Sequence, residues 1–350
     1  MSKQKDKRKP VVGAEGVEDR RFAMLLDWLK GLKGVNPANV HPATDDASFR
    51  RYFRVEAQQG SLIVMDAPPE LEDSKPFIRT AGYLRDMGLH VPEILEADLE
   101  KGFLLLTDLG STHYYDVLRA DPDQTRTLYS DALGALVLLQ TRGTSYQSAL
   151  PPYDEELLRL ELSIFREWLC QTHLAVSFSE KDEARWQDVC NLLVRNALEQ
   201  PHVFVHRDFH SRNLMRTAQN NPGILDFQGA LEGPLTYDLV SLLKDCYVQL
   251  PADQIQDWTL SFYRRLATSI RREIDEDRFL RYFDLMGTQR HLKAAGIFAR
   301  LKHRDGKPHY LRDVPRTLGY IVELHEEYPE LGWLIEFVET KCIPALEVVE

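Results

Sequence analysis

The chain opens its first clear pattern between Val17 and Leu32, where Phe22, Leu25, Leu26, Trp28 and Leu29 recur at helical spacing, with Gly31 and Gly34 near the end. The polar face of this amphipathic helix carries both signs of charge. It is therefore expected to pack on protein rather than on a membrane. The period then drops to two. Phe49–Ala57 reads as the turn and second strand of a hairpin, and Ser61–Met65 as a third strand. A helix over Lys75–Met87 follows, with Thr80 on its inner face. Leu89–Leu95, carrying Val91-Pro92, leads into a strand, and Gly102–Thr107 is an apolar strand closed by Asp108-Leu109-Gly110.

From residue 111 the period is mostly helical. Asp121-Pro122 supplies a cap and a first-turn proline for a helix running to about Gln140, with Leu128, Ala132, Leu136 and Leu139 on its apolar face. Further helices are predicted over Asp154–Cys170 and Glu180–Glu199. Two short apolar runs then interrupt them, Val203-Phe204-Val205 and Ile224-Leu225. After Gly233-Pro234 the pattern returns to helices: one to about Val248, then Asp253–Ile270, Glu276–Leu301, Asp313–Glu327 and Leu331–Glu339. There is no internal repeat.

Those two interrupting runs organise the chain, because each delivers polar residues at one end. The first ends in His206-Arg207-Asp208-Phe209-His210-Ser211-Arg212-Asn213 and the second in Asp226-Phe227-Gln228-Gly229. The order H-x-D-x-x-x-x-N followed by D-F-x-G is that of phosphoryl-transfer enzymes. Such a reaction needs a carboxylate to orient an attacking hydroxyl and take its proton, a role that suits Asp208. It also needs oxygen ligands for Mg²⁺, which suits Asn213 and Asp226. His210 is placed to touch the transferring phosphoryl group. His206 is read as structural. Any one of these residues alone would be an ordinary turn or cap; the ordered set points to chemistry. Asp238 is read as bracing the catalytic loop by accepting backbone N–H bonds, in preference to capping its own helix.

Composition narrows the class. The chain of 350 residues has ordinary apolar content and a net charge of −11, which disfavours nucleic acid as a partner. No apolar run would span a bilayer, and Met1–Pro10 is polar and basic with no signal-peptide core. Cys170, Cys190, Cys246 and Cys342 are scattered, with neither zinc nor disulfide spacing, so a reducing cytoplasm is expected. Residues 1–16 lack periodicity and are expected to be a disordered tail. No membrane contact and no obligate protein partner are expected.

Taken with the Gly-Pro-x-x-Tyr-Asp-Leu run at Gly233–Leu239, the catalytic stretch resembles the aminoglycoside phosphotransferase family. That resemblance implies an α+β, two-lobed, protein-kinase-like fold: a small antiparallel β-sheet N-lobe at 17–108 that binds nucleotide, a large mainly helical C-lobe at 109–350, and a nucleotide cleft between them. ATP and Mg²⁺ are the implied cofactors. Thr107 and Leu109 would supply the backbone acceptor and donor for the adenine edge. The glycine-rich phosphate loop is absent; Asp45–Tyr52 stands in its place, and Arg50 or Arg51 either reaches a phosphate or belongs to a solvated basic turn. Met65 occupies the place of the usual nucleotide-binding Lys, and no Glu faces it from the next helix, so the Lys–Glu pair is missing as a pair. Lys75 is a third candidate for the missing cation.

Within that family, Arg50–Val55, Val64–Pro69, Leu106–Gly110 and His206–His210 look like the anomeric amino-sugar kinases of cell-wall recycling. The implied reaction is ATP-dependent phosphorylation of the C1 hydroxyl of N-acetylmuramate and N-acetylglucosamine, upstream of UDP-sugar synthesis. Arg290, Arg300 and Arg304 are candidate partners for the lactyl carboxylate of N-acetylmuramate, unless they are ordinary surface arginines. Two other readings stay open: a choline or aminoglycoside kinase on the same fold, and a nucleotide-binding pseudokinase adaptor.

Overall fold

The computed structural model describes residues 19–44, 49–58 and 60–349. The expected tail at 1–16, the start of the first helix at Val17 and the stretch Asp45–Ser48 lie outside them. The chain forms two compact units, one of Met1–Gly82 with Val91–Leu109, the other of Tyr83–His90 with Gly110–Glu350.

In the first unit, helix α1 (Arg20–Lys30) is capped by the Asp19 side chain, which accepts the Phe22 N–H. Strands β1 (Val35–Thr44), β2 (Arg51–Ala57) and β3 (Gly60–Asp66) are followed by α2 (Lys75–Asp86), β4 (Ile94–Asp98) and β5 (Phe103–Thr107). The sheet is antiparallel throughout, in the order β1-β2-β3-β5-β4. Alternation sends Phe53, Val55, Val64, Phe103 and Leu105 to one face, where they bury Leu25 and Leu29 of α1. The other face is buried too, with Met65, Leu104 and Leu106 shielded from solvent. Two strands predicted from residues 49–65 thus match β2 and β3 to within a residue or two.

The second unit is mainly helical. It contains α3 (Tyr114–Ala120), α4 (Thr125–Gly143), α5 (Glu155–Ile164), α6 (Glu180–Glu199), α7 (Tyr237–Leu243), α8 (Ala252–Arg265), α9 (Thr268–Glu273), α10 (Glu276–Asp305), α11 (Val314–Val322), α12 (Gly332–Phe337) and α13 (Ile343–Val349). Two short hairpins lie among them: β6 (His202–Val205) with β9 (Leu231–Pro234), and β7 (Leu214–Met215) with β8 (Gly223–Ile224). The 30-residue α10 is the axis on which α5, α6, α7 and α11 pack. Asp275 caps its start, and Gly306 ends it in the left-handed conformation (φ +67°). Midway, Gly296 lets the backbone of Ile164 and Phe165 approach so closely that a Cβ there would lie 2.6 Å from them.

Several helices differ from their predicted limits. Asp121-Pro122 opens a short 3-10 turn (Pro122–Gln124) rather than α4 itself, and α3 precedes it unpredicted, its seven residues being too few to show a period. The predicted 154–170 helix widens after Ile164 into π-helical turns over Phe165–His173. The helix expected to reach Val248 stops at Leu243. The segment 253–270 breaks between α8 and α9, where Leu266 turns extended and is buried. At Leu266 tertiary burial overrides the local pattern.

Candidate active site

The candidate catalytic loop is carried by these two strand pairs. β6 delivers the chain to His206, and β7 takes it up again at Leu214. Because Leu214 pairs with Ile224, Asn213 falls opposite Leu225, whose N–H donates to the Asn213 carbonyl at 2.9 Å. Asp226 follows at once, in the left-handed region (φ +62°). The short strands thereby set Asn213 beside the Asp226 turn. The loop closes on itself as well. Asn213 Nδ2 donates to the Asp208 carbonyl at 3.0 Å, and the His210 N–H donates to the same carbonyl at 3.1 Å. The Asp208 N–H donates to His206 Nδ1 at 3.2 Å.

Two buried carboxylates hold this loop from outside. Asp238, in the first turn of α7, accepts the N–H groups of His206 at 2.6 Å and Arg207 at 2.8 Å. It braces the loop as the sequence reading expects. Asp245 accepts the N–H groups of Ser211 at 3.0 Å and Tyr247 at 2.8 Å. Bonds from backbone N–H groups to a carboxylate fix a backbone strongly when it is ionised; burial raises Asp238 to about 7 against the bonds from His206 and Arg207 that favour its charge. Arg207 needs the help, since its φ is +83°.

A third carboxylate, Glu161 of α5, collects the cations. It pairs with the guanidinium of Arg207 and with Lys293 Nζ at 2.9 Å, and accepts from the Tyr153 hydroxyl and from Gln289 Nε2 at 3.1 Å. Burial alone would raise its carboxyl; Lys293, Arg207 and the Tyr153 hydroxyl outweigh burial and bring it down to about 2. Lys293 also donates to the Tyr237 hydroxyl at 3.0 Å, and the Arg290 guanidinium lies over the Tyr237 ring, 4.5 Å from its centre. The field at Asp208 follows from this arrangement. Burial opposes its charge, but Lys293, Arg207 and Arg290 hold the carboxyl below its ordinary range, so it is ionised at neutral pH and able to accept a proton. Burial lowers His206, to about 4, and also lowers His210, so both rings are neutral at that pH.

The sequence candidates divide between the two units. Asp208, His210, Asn213 and Asp226 share one loop system, and Arg290 acts on Asp208 electrostatically. Arg290 also donates to the Ser241 hydroxyl. Arg300 stands seven residues beyond Lys293 on α10, about 10 Å along the axis. Burial and the neighbouring charge of Arg304 lower its pKa. Arg304 pairs with Asp305 at the surface.

Arg50, Arg51, Thr107 and Leu109 belong to the other unit. The basic-turn alternative fails for Arg50, which is buried and paired with Glu72 at 3.0 Å. Arg51 binds the buried carboxylate of Asp66, its Nε at 2.9 Å, and also Asp19. Thr107 closes β5, its hydroxyl accepting the Glu93 N–H at 2.9 Å, and Leu109 follows just outside the strand. Met65 and Thr80 are both buried, so an apolar and a hydroxyl side chain occupy the places of the Lys and Glu. Sequence reasoning missed Glu72, Glu161, Arg207, Arg212, Asp245 and Lys293. A charged residue on an apolar helix face was the available signal for Glu161 and Lys293; Glu72 had none.

For Mg²⁺, the chemistry of the donors fits. Asn213 turns its nitrogen to the Asp208 carbonyl, leaving the amide oxygen as its ligating end, and Asp226 adds a carboxylate beside it. Among the described residues no group of three or more His, Cys, Asp or Glu could hold a metal by itself. Two oxygen donors completed by phosphate and water are what Mg²⁺ takes in such sites.

A β-sheet unit, a mainly helical unit and a braced H-x-D-x-x-x-x-N loop define a phosphotransferase of the kinase-like class. The chain belongs to the phosphotransferase enzyme family, whose sequence pattern it matches over residues 39–276. It is 48% identical over 333 residues to the N-acetylmuramate/N-acetylglucosamine kinase of Pseudomonas aeruginosa, covering 92% of this chain and 97% of that protein. It is 45% identical to the enzyme of the same name from Pseudomonas putida, covering 91% and 96%. A spectinomycin phosphotransferase solved with ADP and spectinomycin shares the fold at a TM-score of 0.59 and 12% identity, over 85% of this chain and 98% of that one. No described helix is long and apolar enough to cross a membrane.

Proposed function

We propose that the chain is an ATP-dependent amino-sugar kinase that phosphorylates the anomeric C1 hydroxyl of N-acetylmuramate and N-acetylglucosamine. The products would be the sugar 1-phosphates, on the route by which peptidoglycan fragments return to UDP-N-acetylmuramate. The observation that carries this reading is Asp208, an ionised carboxylate in a loop locked by Asp238, Asp245 and Asn213, in a chain nearly half identical to kinases of that name.

Asp208 orients the C1 hydroxyl and takes its proton as the oxygen bonds to the terminal phosphorus of ATP and ADP departs. An anomeric hydroxyl is more acidic than an ordinary alcohol, so a carboxylate with a low pKa suffices as base. His210, neutral in this setting, would donate to the transferring group. Asn213 and Asp226 would hold Mg²⁺, which neutralises charge on the phosphates. Arg50, Arg51, Thr107 and Leu109 are the proposed nucleotide contacts. The loop geometry supports an enzyme over an adaptor, since a pure binding module has no need of a braced, ionised base. It supports a sugar over choline because an aromatic cluster at the loop, formed by Tyr115, Tyr247 and Tyr310, already holds the chain's own Arg212.

The test is turnover with Mg²⁺-ATP and N-acetylmuramate, N-acetylglucosamine, choline or an aminoglycoside, with products read by phosphorus NMR. A sugar 1-phosphate signal is expected from both amino sugars. Phosphorylation elsewhere on the sugar, or of another compound only, would overturn the assignment.

A further inference from the structure

The two amino sugars differ by one group, the lactyl ether on C3 of N-acetylmuramate, which ends in a carboxylate. A site that serves both must meet this charge with a cation that the neutral sugar does not need. The sequence offers Arg290, Arg300 and Arg304 for that task. The structure singles out a different residue.

Arg212 lies in the catalytic loop, between His210 and Asn213. Its guanidinium carbon sits 3.9 Å from the centre of the Tyr247 ring, 4.8 Å from that of Tyr115 and 5.8 Å from that of Tyr310. Tyr247 is shared with the reaction centre, because the His210 ring stands edge-on to it at 5.3 Å. Phe298 of α10 backs the cluster, 6.0 Å from Tyr247 and stacked 5.8 Å from Tyr310. Aromatic rings engage the faces of a guanidinium. Tyr115 also takes a side-chain hydrogen bond from this guanidinium, and the N–H groups that remain on its planar edge match the oxygens of a carboxylate.

The local charges also leave room for an anion. Arg212, Arg312 and Arg316 all act on the one carboxylate of Asp313. Its Oδ1 accepts from Arg316 at 3.2 Å, and its Oδ2 lies 3.8 Å from Arg312 Nε. Asp245, the other carboxylate acting on this region, is committed to the Ser211 and Tyr247 backbone. Three guanidinium groups therefore share the single carboxylate of Asp313, which is already paired with Arg316 and Arg312, so positive charge is in excess around Arg212. By contrast, Arg290 is taken by Ser241 and Tyr237, and Arg300 lies two helical turns past Lys293.

We propose that Arg212, clamped by Tyr115, Tyr247 and Tyr310 beside His210, binds the lactyl carboxylate of N-acetylmuramate and is the residue by which this site accepts an acidic amino sugar as well as a neutral one. The assignment rests on the amino-sugar kinase reading and adds the specificity element to it. With C1 at Asp208, the C3 substituent lies across the sugar ring, and Arg212 sits four residues along the same loop.

Steady-state kinetics of Arg212→Gln and Arg212→Lys with both sugars provide the test, with thermal unfolding as a check on folding. Arg212→Gln is expected to raise KM for N-acetylmuramate by about ten- to a hundredfold, while kcat/KM for N-acetylglucosamine changes less than about threefold. Arg212→Lys keeps the charge but loses the planar fork, and falls between. Equal losses on both sugars in a folded variant, or an unchanged KM for N-acetylmuramate, would overturn the assignment. Wild-type turnover on neither sugar is a separate outcome: it overturns the kinase reading and the Arg212 assignment with it.

Discussion

Asp238 accepts the backbone N–H of Arg207 at 2.8 Å and holds that residue at φ +83°, one position before the candidate base. A non-glycine residue does not keep such a conformation without support. The bond to the neighbouring His206 N–H, at 2.6 Å, makes the grip bidentate. The Arg207 side chain is then sent to Glu161 and its carbonyl toward the Ser241 hydroxyl at 3.4 Å. Asp238 thus fixes the backbone that carries Asp208.

Asp238→Asn should damage both order and rate. Its amide can accept only through one atom and presents an N–H₂ to a donor. A loss of about 1–3 kcal/mol in unfolding free energy is expected from the orphaned backbone donor. Turnover should fall about a hundredfold with nucleotide affinity little changed. Urea unfolding and steady-state kinetics would show it. A variant with normal stability and normal kcat would mean that the loop holds its shape unaided.

Asp208→Asn separates chemistry from binding. The substitution keeps the shape of the side chain and removes the base, so kcat should drop by about 10²–10⁴-fold. Nucleotide affinity, measured by calorimetry, should stay within about threefold. Affinity that collapses together with turnover would count against Asp208 as the base.

Glu161 was not legible as part of the site, and the reason is physical. Its partners Arg207, Lys293, Tyr153 and Gln289 come from the catalytic loop, from α10 and from the segment before α5, so no local spacing announces the cluster. The same holds for Asp245 and Arg212. The loop's own residues were legible because their chemistry fixes a short, ordered spacing: His206, Asp208, Asn213 and Asp226 fall within two adjacent hairpins. Among the secondary elements, α6 matched its expected limits because Ser179 and Asp182 form a capping box at its start and its apolar face is regular. The Pro122 turn and the π-helical stretch after Ile164 were hidden. A capped proline can open a 3-10 turn as readily as an α-helix, and the wide turns lie where Gly296 admits the backbone of Ile164 and Phe165.

Glu161→Ala should be among the most destabilising single changes in the chain. It would leave the buried charges of Lys293 and Arg207 without their partner, a situation that costs about 3–5 kcal/mol. The melting temperature should drop by several degrees, and the activity of whatever remains folded should fall because the field at Asp208 is altered. Glu161→Gln retains shape and should cost less. A Glu161→Ala variant as stable as wild type would show that water or a counter-ion takes over the role.

His206, His291 and Glu161 contribute to the pH dependence of stability with one sign, while Asp238, which burial raises to about 7, opposes them between that value and its unfolded 3.8. His206 and His291 are buried and kept neutral, with pKa values lowered to about 4 and about 3 by burial. In the unfolded chain they protonate near the ordinary 6.5. Between those limits the unfolded chain binds more protons at these two residues, so their contribution is full above pH 6.5 and falls as the pH is lowered, by about 1.4 kcal/mol per histidine per pH unit. Glu161 adds a second loss below its unfolded value of 4.5, continuing down to about 2, as its ion pairs are protonated away. His291 Nε2 donates to the Lys244 carbonyl at 2.9 Å, so Nε2 carries the proton of the neutral ring. Its ring stacks on Tyr320 at 4.8 Å. His291→Gln can keep the hydrogen bond and cannot titrate. It should lower stability at pH 7 but flatten the slope between pH 6.5 and 4 by about one histidine's worth. Unfolding free energies across that range decide the point: an unchanged slope in the Gln variant would mean that His291 takes up its proton equally in the folded and unfolded states.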